Sequence, residues 1–170
     1  MIRIYVEGDK GLKPGFRKFF GENRPITLIV GKNTQETEKD FLDGLKSHPD
    51  SSVFMLIDAD APLSNRPPDP RRFFMIQIME SWFLADRKAL AEYFGEGFNP
   101  KTLPGDPRKI ESIPKADVER GLDLATRNCR KMKYSRDKVG HGRELLSRIN
   151  RTLVREASPE CNRLLKTLGL

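Results

Sequence analysis

The chain has 170 residues, 37% hydrophobic and 32% charged, which suits one globular domain and excludes a disordered tail or a membrane protein. The longest apolar runs, Val53–Ile57 and Phe73–Ile76, are too short to span a bilayer, Met1–Val6 is no leader, and Cys129 and Cys161 form no CxxC, so a cytoplasmic protein without a disulfide framework or zinc site is expected. The net charge of +7 is local: Arg127–Arg155 holds ten Lys/Arg against two acids, and the remainder sums to −1, a distribution that suits a polyanionic partner.

Ile2–Val6 reads as a strand broken by Gly8, and Phe16–Phe20 as one or two helical turns. Ile26–Val30 is a β-branched run closed by Gly31, a second strand. Asn33 with Glu36 forms a capping box for a helix to about His48, whose sparse apolar positions (Phe41, Leu42, Leu45) lay one narrow stripe on a sheet. Val53–Ile57 has the continuous apolarity of a strand buried on both faces. Ala61–Arg72 holds four prolines and reads as a loop; Phe73–Ile78 is the fourth strand, followed by a helix from about Glu80 to Phe94. Beyond the Gly/Pro-rich loop Gly95–Pro107, helices are predicted over Asp117–Arg130 and Gly142–Arg155, and a last one with Ser158 as N-cap and Pro159 at its first position. Alternation of strands and helices predicts an α/β fold with a mainly parallel sheet. One domain is expected over 1–170, with the α/β core and acidic site in 1–95 and a mostly helical, basic extension in 96–170.

In an open parallel sheet, ligands bind beyond the carboxyl ends of the strands. Glu7 follows the first strand, Asp58 the third, and Glu80 lies two residues past the fourth, so all three are predicted at one edge. Asp60 joins Asp58 if the chain stays extended, because residues two apart then face the same way. Clustered carboxylates are costly without a cation, and Mg²⁺ or Mn²⁺ fits hard oxygen ligands of this kind. A pair of such ions can activate water for phosphodiester cleavage. Gly8 lets a phosphate approach the main chain. Each acid also has a plainer reading: a turn role for Asp58 and Asp60, and an N-cap for Glu80.

Ile4-Tyr5-Val6-Glu7-Gly8 followed by Leu56-Ile57-Asp58-Ala59-Asp60 resembles the Toprim domain of primases, topoisomerases and OLD-family nucleases. With Met79-Glu80-Ser81-Trp82-Phe83-Leu84-Ala85-Asp86 added, the chain is similar to a bacterial Toprim-like family near the OLD nucleases. The resemblance implies a Toprim-like (Rossmann-like) fold and a Mg²⁺-dependent nuclease, with an ABC/SMC-type ATPase as possible partner in phage defence. It assigns Glu7 as general acid/base or metal ligand, Asp58 and Asp60 as the metal-binding pair, and Glu80 as an additional acid. Relatives often carry a second acid four residues after the glutamate, where this chain has Gly11, with Asp9 nearby. A non-catalytic nucleic-acid-binding or ATPase-regulating module with an incomplete metal site is therefore the alternative.

In the basic segment, Arg148, Arg151 and Arg155 are predicted on one helix face, opposite Leu145, Leu146, Ile149 and Leu153. With Lys138, His141 and Arg143 they form a candidate nucleic-acid track; the plainer reading is a solvated helix face. Lys138 could stabilise charge on a transferring phosphate, and His141, in a Gly-flanked loop, could bind phosphate or merely cap the helix. Trp82 reads as core rather than a stacking platform, and His48 as a helix-end residue. DNA versus RNA and oligomeric state stay open.

Overall fold

The fold, taken from a computed structural model, is described over residues 1–62 and 69–170. The predicted loop Ala61–Arg72 falls partly on residues 63–68, outside the described residues.

Four strands, β1 (Ile2–Glu7), β2 (Ile26–Gly31), β3 (Ser52–Asp58) and β4 (Arg72–Met75), form one sheet in the order β2-β1-β3-β4. Every neighbouring pair is parallel, with Val6 opposite both Val30 and Leu56, and Asp58 opposite Met75. The α/β expectation is met: a four-stranded, all-parallel sheet flanked by helices, in keeping with a Rossmann-like fold.

The two sheet faces follow strand alternation. Tyr5, Val53, Met55 and Ile57 point to one side and pack with Phe41 of α2 (Thr34–Ser47). Ile4, Val6, Leu28, Phe54, Leu56, Phe73 and Met75 point to the other and enter the main core. The capping box forms with a one-residue shift: Asn33 Oδ1 accepts the Glu36 N–H (2.9 Å), and Glu36 reaches back to the Lys32 N–H (3.1 Å).

On the main-core face, α1 (Lys13–Phe20) packs against α5 (Lys138–Leu146). Gly15 permits the contact, since a Cβ there would lie 2.6 Å from the Arg143 carbonyl oxygen. The same core takes Val118 and Leu122 of α4 (Lys115–Ala125), Val154 of α6 (Arg151–Ala157), and Leu164 and Leu165 of α7 (Pro159–Thr167). With Leu145 and Leu146 these side chains are at most 1% exposed. At about 1.5–3 kcal/mol each, their burial is worth as much as a domain's whole net stability. Residues 96–170 therefore complete the core of residues 1–95 and do not merely extend it.

Two predicted helices are divided and a third ends early. The stretch from Glu80 becomes a 3-10 segment, Met79–Ala85, and then α3 (Arg87–Phe94). Met79 and Ser81–Ala85 are all buried, so no solvent face exists for an amphipathic helix to present. Asp86 starts α3 by accepting the Ala89 N–H (3.0 Å), and its other oxygen accepts the Asn150 N–H (2.8 Å), tying α3 to α6. The predicted helix Gly142–Arg155 is interrupted after Leu146 and restarts where Asn150 caps α6. The Asp117–Arg130 helix stops at Ala125. β4 is shorter than predicted and ends at Met75. Its edge is covered by α7: Glu160 accepts the Phe74 N–H (3.3 Å), and Arg163 lies over the Phe73 ring (4.0 Å). Ser158 caps α7 as expected, accepting the Cys161 N–H (3.0 Å). Among the described residues, no helix is long and apolar enough to cross a membrane.

Candidate active site

From β1 the chain crosses to β2 on one side, then returns to β3 on the other, so the β1/β3 boundary is the topological switch point of the sheet. Glu7 is the last residue of β1 and Asp58 the last of β3. The Asp58 N–H donates to Glu7 Oε2 (3.2 Å), and the hydroxyl of Thr34, the first residue of α2, donates to Glu7 Oε1 (3.0 Å). Both Glu7 oxygens are thereby oriented by the elements that follow β2 and end β3.

Asp58 Oδ1 accepts the Met79 N–H (2.8 Å), which brings the start of the 3-10 segment to the end of β3. Ile78 holds the cap position there and lends no side-chain hydrogen bond, so Glu80 is not a cap. Its Oε1 instead accepts the hydroxyl of Tyr134 (3.0 Å), a side chain 2% exposed. Burial, then the charges of Glu80 and Glu7, hold the Asp58 carboxyl well above the usual carboxylate range. Burial and then the Glu80 charge push the Tyr134 phenol well up, so it remains a donor. The three acids thus share one electrostatic environment that is short of positive charge.

Among the described residues, no three Asp, Glu, His or Cys side chains stand ready to enclose an ion by themselves. A Mg²⁺ site does not require that, because one or two carboxylates with water and substrate phosphate suffice. Asp58 and Glu80 each use one oxygen in the hydrogen bonds above, and the donor set is all hard oxygen. The residues present fit such an ion.

Residues 10–169 match the family described as a domain of unknown function, DUF4276. The chain belongs to that family. No curated protein and no solved structure matches it.

In this DUF4276 member the other predicted site residues scatter. Asp60 turns off the line of Asp58 because the chain does not stay extended: its φ is +57°, and its carboxylate, still among the charges that act on Asp58, meets Lys115 Nζ at 2.5 Å. Gly8 has its N–H committed to the Gly31 carbonyl (2.9 Å), so it offers no donor to a phosphate. At Gly11 a Cβ would lie 2.7 Å from Val139 Cγ1, so the place of the second acid is filled by the start of α5. Asp9 does not substitute, since it is exposed and caps a short turn through the Gly11 N–H.

The basic segment needs the larger correction. His141 lies inside helix α5, 4% exposed among Tyr93, Phe94 and Tyr134, with Nδ1 3.0 Å from the Tyr93 hydroxyl. It neither touches solvent nor caps the helix; Asp137 does the capping. Arg151 donates to the Phe19 and Phe20 carbonyls at the end of α1, and Arg155 to Asn162 and to the Leu170 carbonyl. Both guanidinium groups are spent within the fold, and the helix breaks between Arg148 and Arg151, so the predicted stripe of Arg148, Arg151 and Arg155 does not form. Arg143 and Arg148 remain exposed but share Glu144, and Lys138 pairs with Glu119 at 3.2 Å. Trp82 is core, fully buried and stacked on Phe19 at 4.9 Å.

Thr34, Lys115 and Tyr134 join the acids from elements whose local sequence does not single them out. The last is an aromatic side chain amid Arg and Lys, the one local hint that part of that segment turns inward.

Proposed function

We propose that this protein is a Mg²⁺-dependent phosphodiester hydrolase acting on DNA or RNA, a nuclease of Toprim/OLD-like type. The observation that carries the proposal is the placement of Glu7 and Asp58 side by side on adjacent parallel strands at the switch point, with Glu80 arriving from the next segment. Glu7, Asp58 and Glu80 are the proposed metal ligands. A divalent ion bound there supplies charge neutralisation for the substrate phosphate and helps generate the nucleophile. In hydrolysis, the water oxygen bonds to phosphorus while the ester P–O bond breaks; the water's proton leaves to a carboxylate, for which Glu7 is the candidate, and the departing oxygen takes a proton from solvent.

Lys138, at the start of α5, is the proposed cationic contact to phosphate, and Arg143 and Arg148 the exposed backbone contacts. Each has a carboxylate partner to release, so nucleic-acid affinity is expected to be modest and to fall steeply with salt. A cytoplasmic setting rests on the two cysteines without a CxxC, and an ABC/SMC-type ATPase partner in phage defence on the sequence resemblance alone.

Purified protein is expected to cleave DNA or RNA with Mg²⁺ or Mn²⁺, and EDTA to abolish the cleavage. Asp58→Asn and Glu7→Gln should each remove it. Cleavage that persists in the Glu7→Gln/Asp58→Asn double variant would overturn the reading.

The filled position at Gly11 favours one competing reading, a nucleic-acid-binding or ATPase-regulating module that does not cut. Salt-dependent binding without cleavage, both alone and with an ATPase partner present, would decide for it.

A further inference from the structure

Asp60 and Lys115 form a unit that the Asp-Ala-Asp pattern does not foreshadow. The left-handed φ of Asp60 turns its carboxylate off the line of β3. The Asp60 N–H donates to the Gln77 carbonyl (2.8 Å), while the Gln77 side-chain oxygen accepts the N–H of Lys115 (2.9 Å). One residue, Gln77, 7% exposed, therefore anchors both backbones, and Lys115 Nζ closes the unit on Asp60 Oδ1 at 2.5 Å. This is a scaffolded pair and not a chance meeting of two long side chains. The hydrogen bond it donates to Asp60, then the charges of Asp60, Glu119 and Asp58, favour the Lys115 ammonium.

A two-ion phosphoryl site needs further carboxylates free to hold the second ion. Here Val139 fills the space at Gly11, and Asp60 already holds a cation. A lysine ammonium is a compact point charge that can stand where a metal would otherwise neutralise a carboxylate. Resting on the metal-dependent reading above, we infer that Lys115 is the resident second cation of this site: its ammonium occupies Asp60, so Glu7, Asp58 and Glu80 take one divalent ion instead of two. Asp60 is then the anchor of Lys115 and not a metal ligand.

Mn²⁺ titration of the full chain, followed by electron paramagnetic resonance and calorimetry, tests this without reference to cleavage. Wild type is expected to bind one equivalent. Lys115→Met, which frees Asp60, is expected to gain a second, weaker equivalent. The charge-neutral double variant Asp60→Asn/Lys115→Met should bind one equivalent with affinity within about threefold of wild type, because a removed ligand costs tenfold or more. Lys115 is partly exposed, and the melting curve of each variant verifies its fold. Two equivalents in wild type, a single equivalent in Lys115→Met, or a tenfold loss in the double variant overturns the assignment while leaving a metal site in place. No Mn²⁺ binding in wild type overturns the metal-dependent reading itself.

Discussion

Asn at position 58 keeps the shape of Asp and its acceptor for the Met79 N–H, now at 2.8 Å, and deletes only the charge. That charge is buried and crowded by Glu80 and Glu7. Complete burial of an uncompensated charge costs several kcal/mol. At this half-buried rim, Asp58→Asn is expected to return about 1–2 kcal/mol to the metal-free protein, raising Tm by about 2–8 °C. The pH dependence has a definite sign. The folded state holds the Asp58 proton to higher pH than the unfolded chain does, so stability drains away as pH rises from the ordinary aspartate value, about 4, to the raised folded value. Above that the penalty is constant. The Tm gap between variant and wild type should therefore be near zero at pH 4, open with rising pH and then level off. Mg²⁺ at a hundred times its Kd should add about 2.7 kcal/mol to wild type and little to the variant, reversing their order. Scanning fluorimetry from pH 4 to 8, in EDTA and in MgCl₂, measures all of this. A variant that melts below wild type in EDTA at pH 8 would refute the reasoning, because the Asp58 charge would then be supporting the fold.

Tyr134→Phe removes the hydroxyl that orients Glu80 and should weaken Mn²⁺ binding about tenfold by calorimetry, with little change in fold; unchanged affinity would show that Glu80 needs no such partner. Gly15→Ala should cost about 1–3 kcal/mol in urea denaturation, since the new methyl meets the Arg143 backbone. Arg155→Met should lose about 1 kcal/mol of stability yet leave nucleic-acid affinity and its salt slope unaltered by fluorescence anisotropy, whereas Arg143→Met should weaken binding and flatten the slope. Cys161, 1% exposed and with its thiol pushed up by burial, should resist alkylation in the native protein until denaturant is added, while the partly exposed Cys129 labels first.

The sequence carried the strands, their parallel direction and the acids that follow the first and third. Apolar runs stopped by Gly31 or by an acid mark where a strand ends, and parallel pairing then sends every carboxyl end to one edge. The placement of Glu7 and Asp58 needs no more than that, whereas Glu80, beyond the end of β4, comes in with the 3-10 segment whose Met79 N–H meets Asp58. Helix signals carried less. The capping residues Asn33 and Ser158 were legible because a cap is a contact across three residues. The break at Asp86 was not, because half of its cause is the Asn150 N–H from the far end of the chain.

The tertiary structure decided which charges remain free to act. Arg151 and Arg155 look identical in sequence to exposed arginines, but the end of α1 supplies carbonyls to the first, and Asn162 with the Leu170 carbonyl takes up the second. His141 sits in a basic stretch, yet packing turns it into an aromatic pocket. Lys115 and Asp60 are 55 positions apart, and only the meeting of the start of α4 with Gln77, which also holds the Asp60 backbone, brings them together. Local pattern fixes where a side chain starts; what neutralises it depends on which distant element packs beside it.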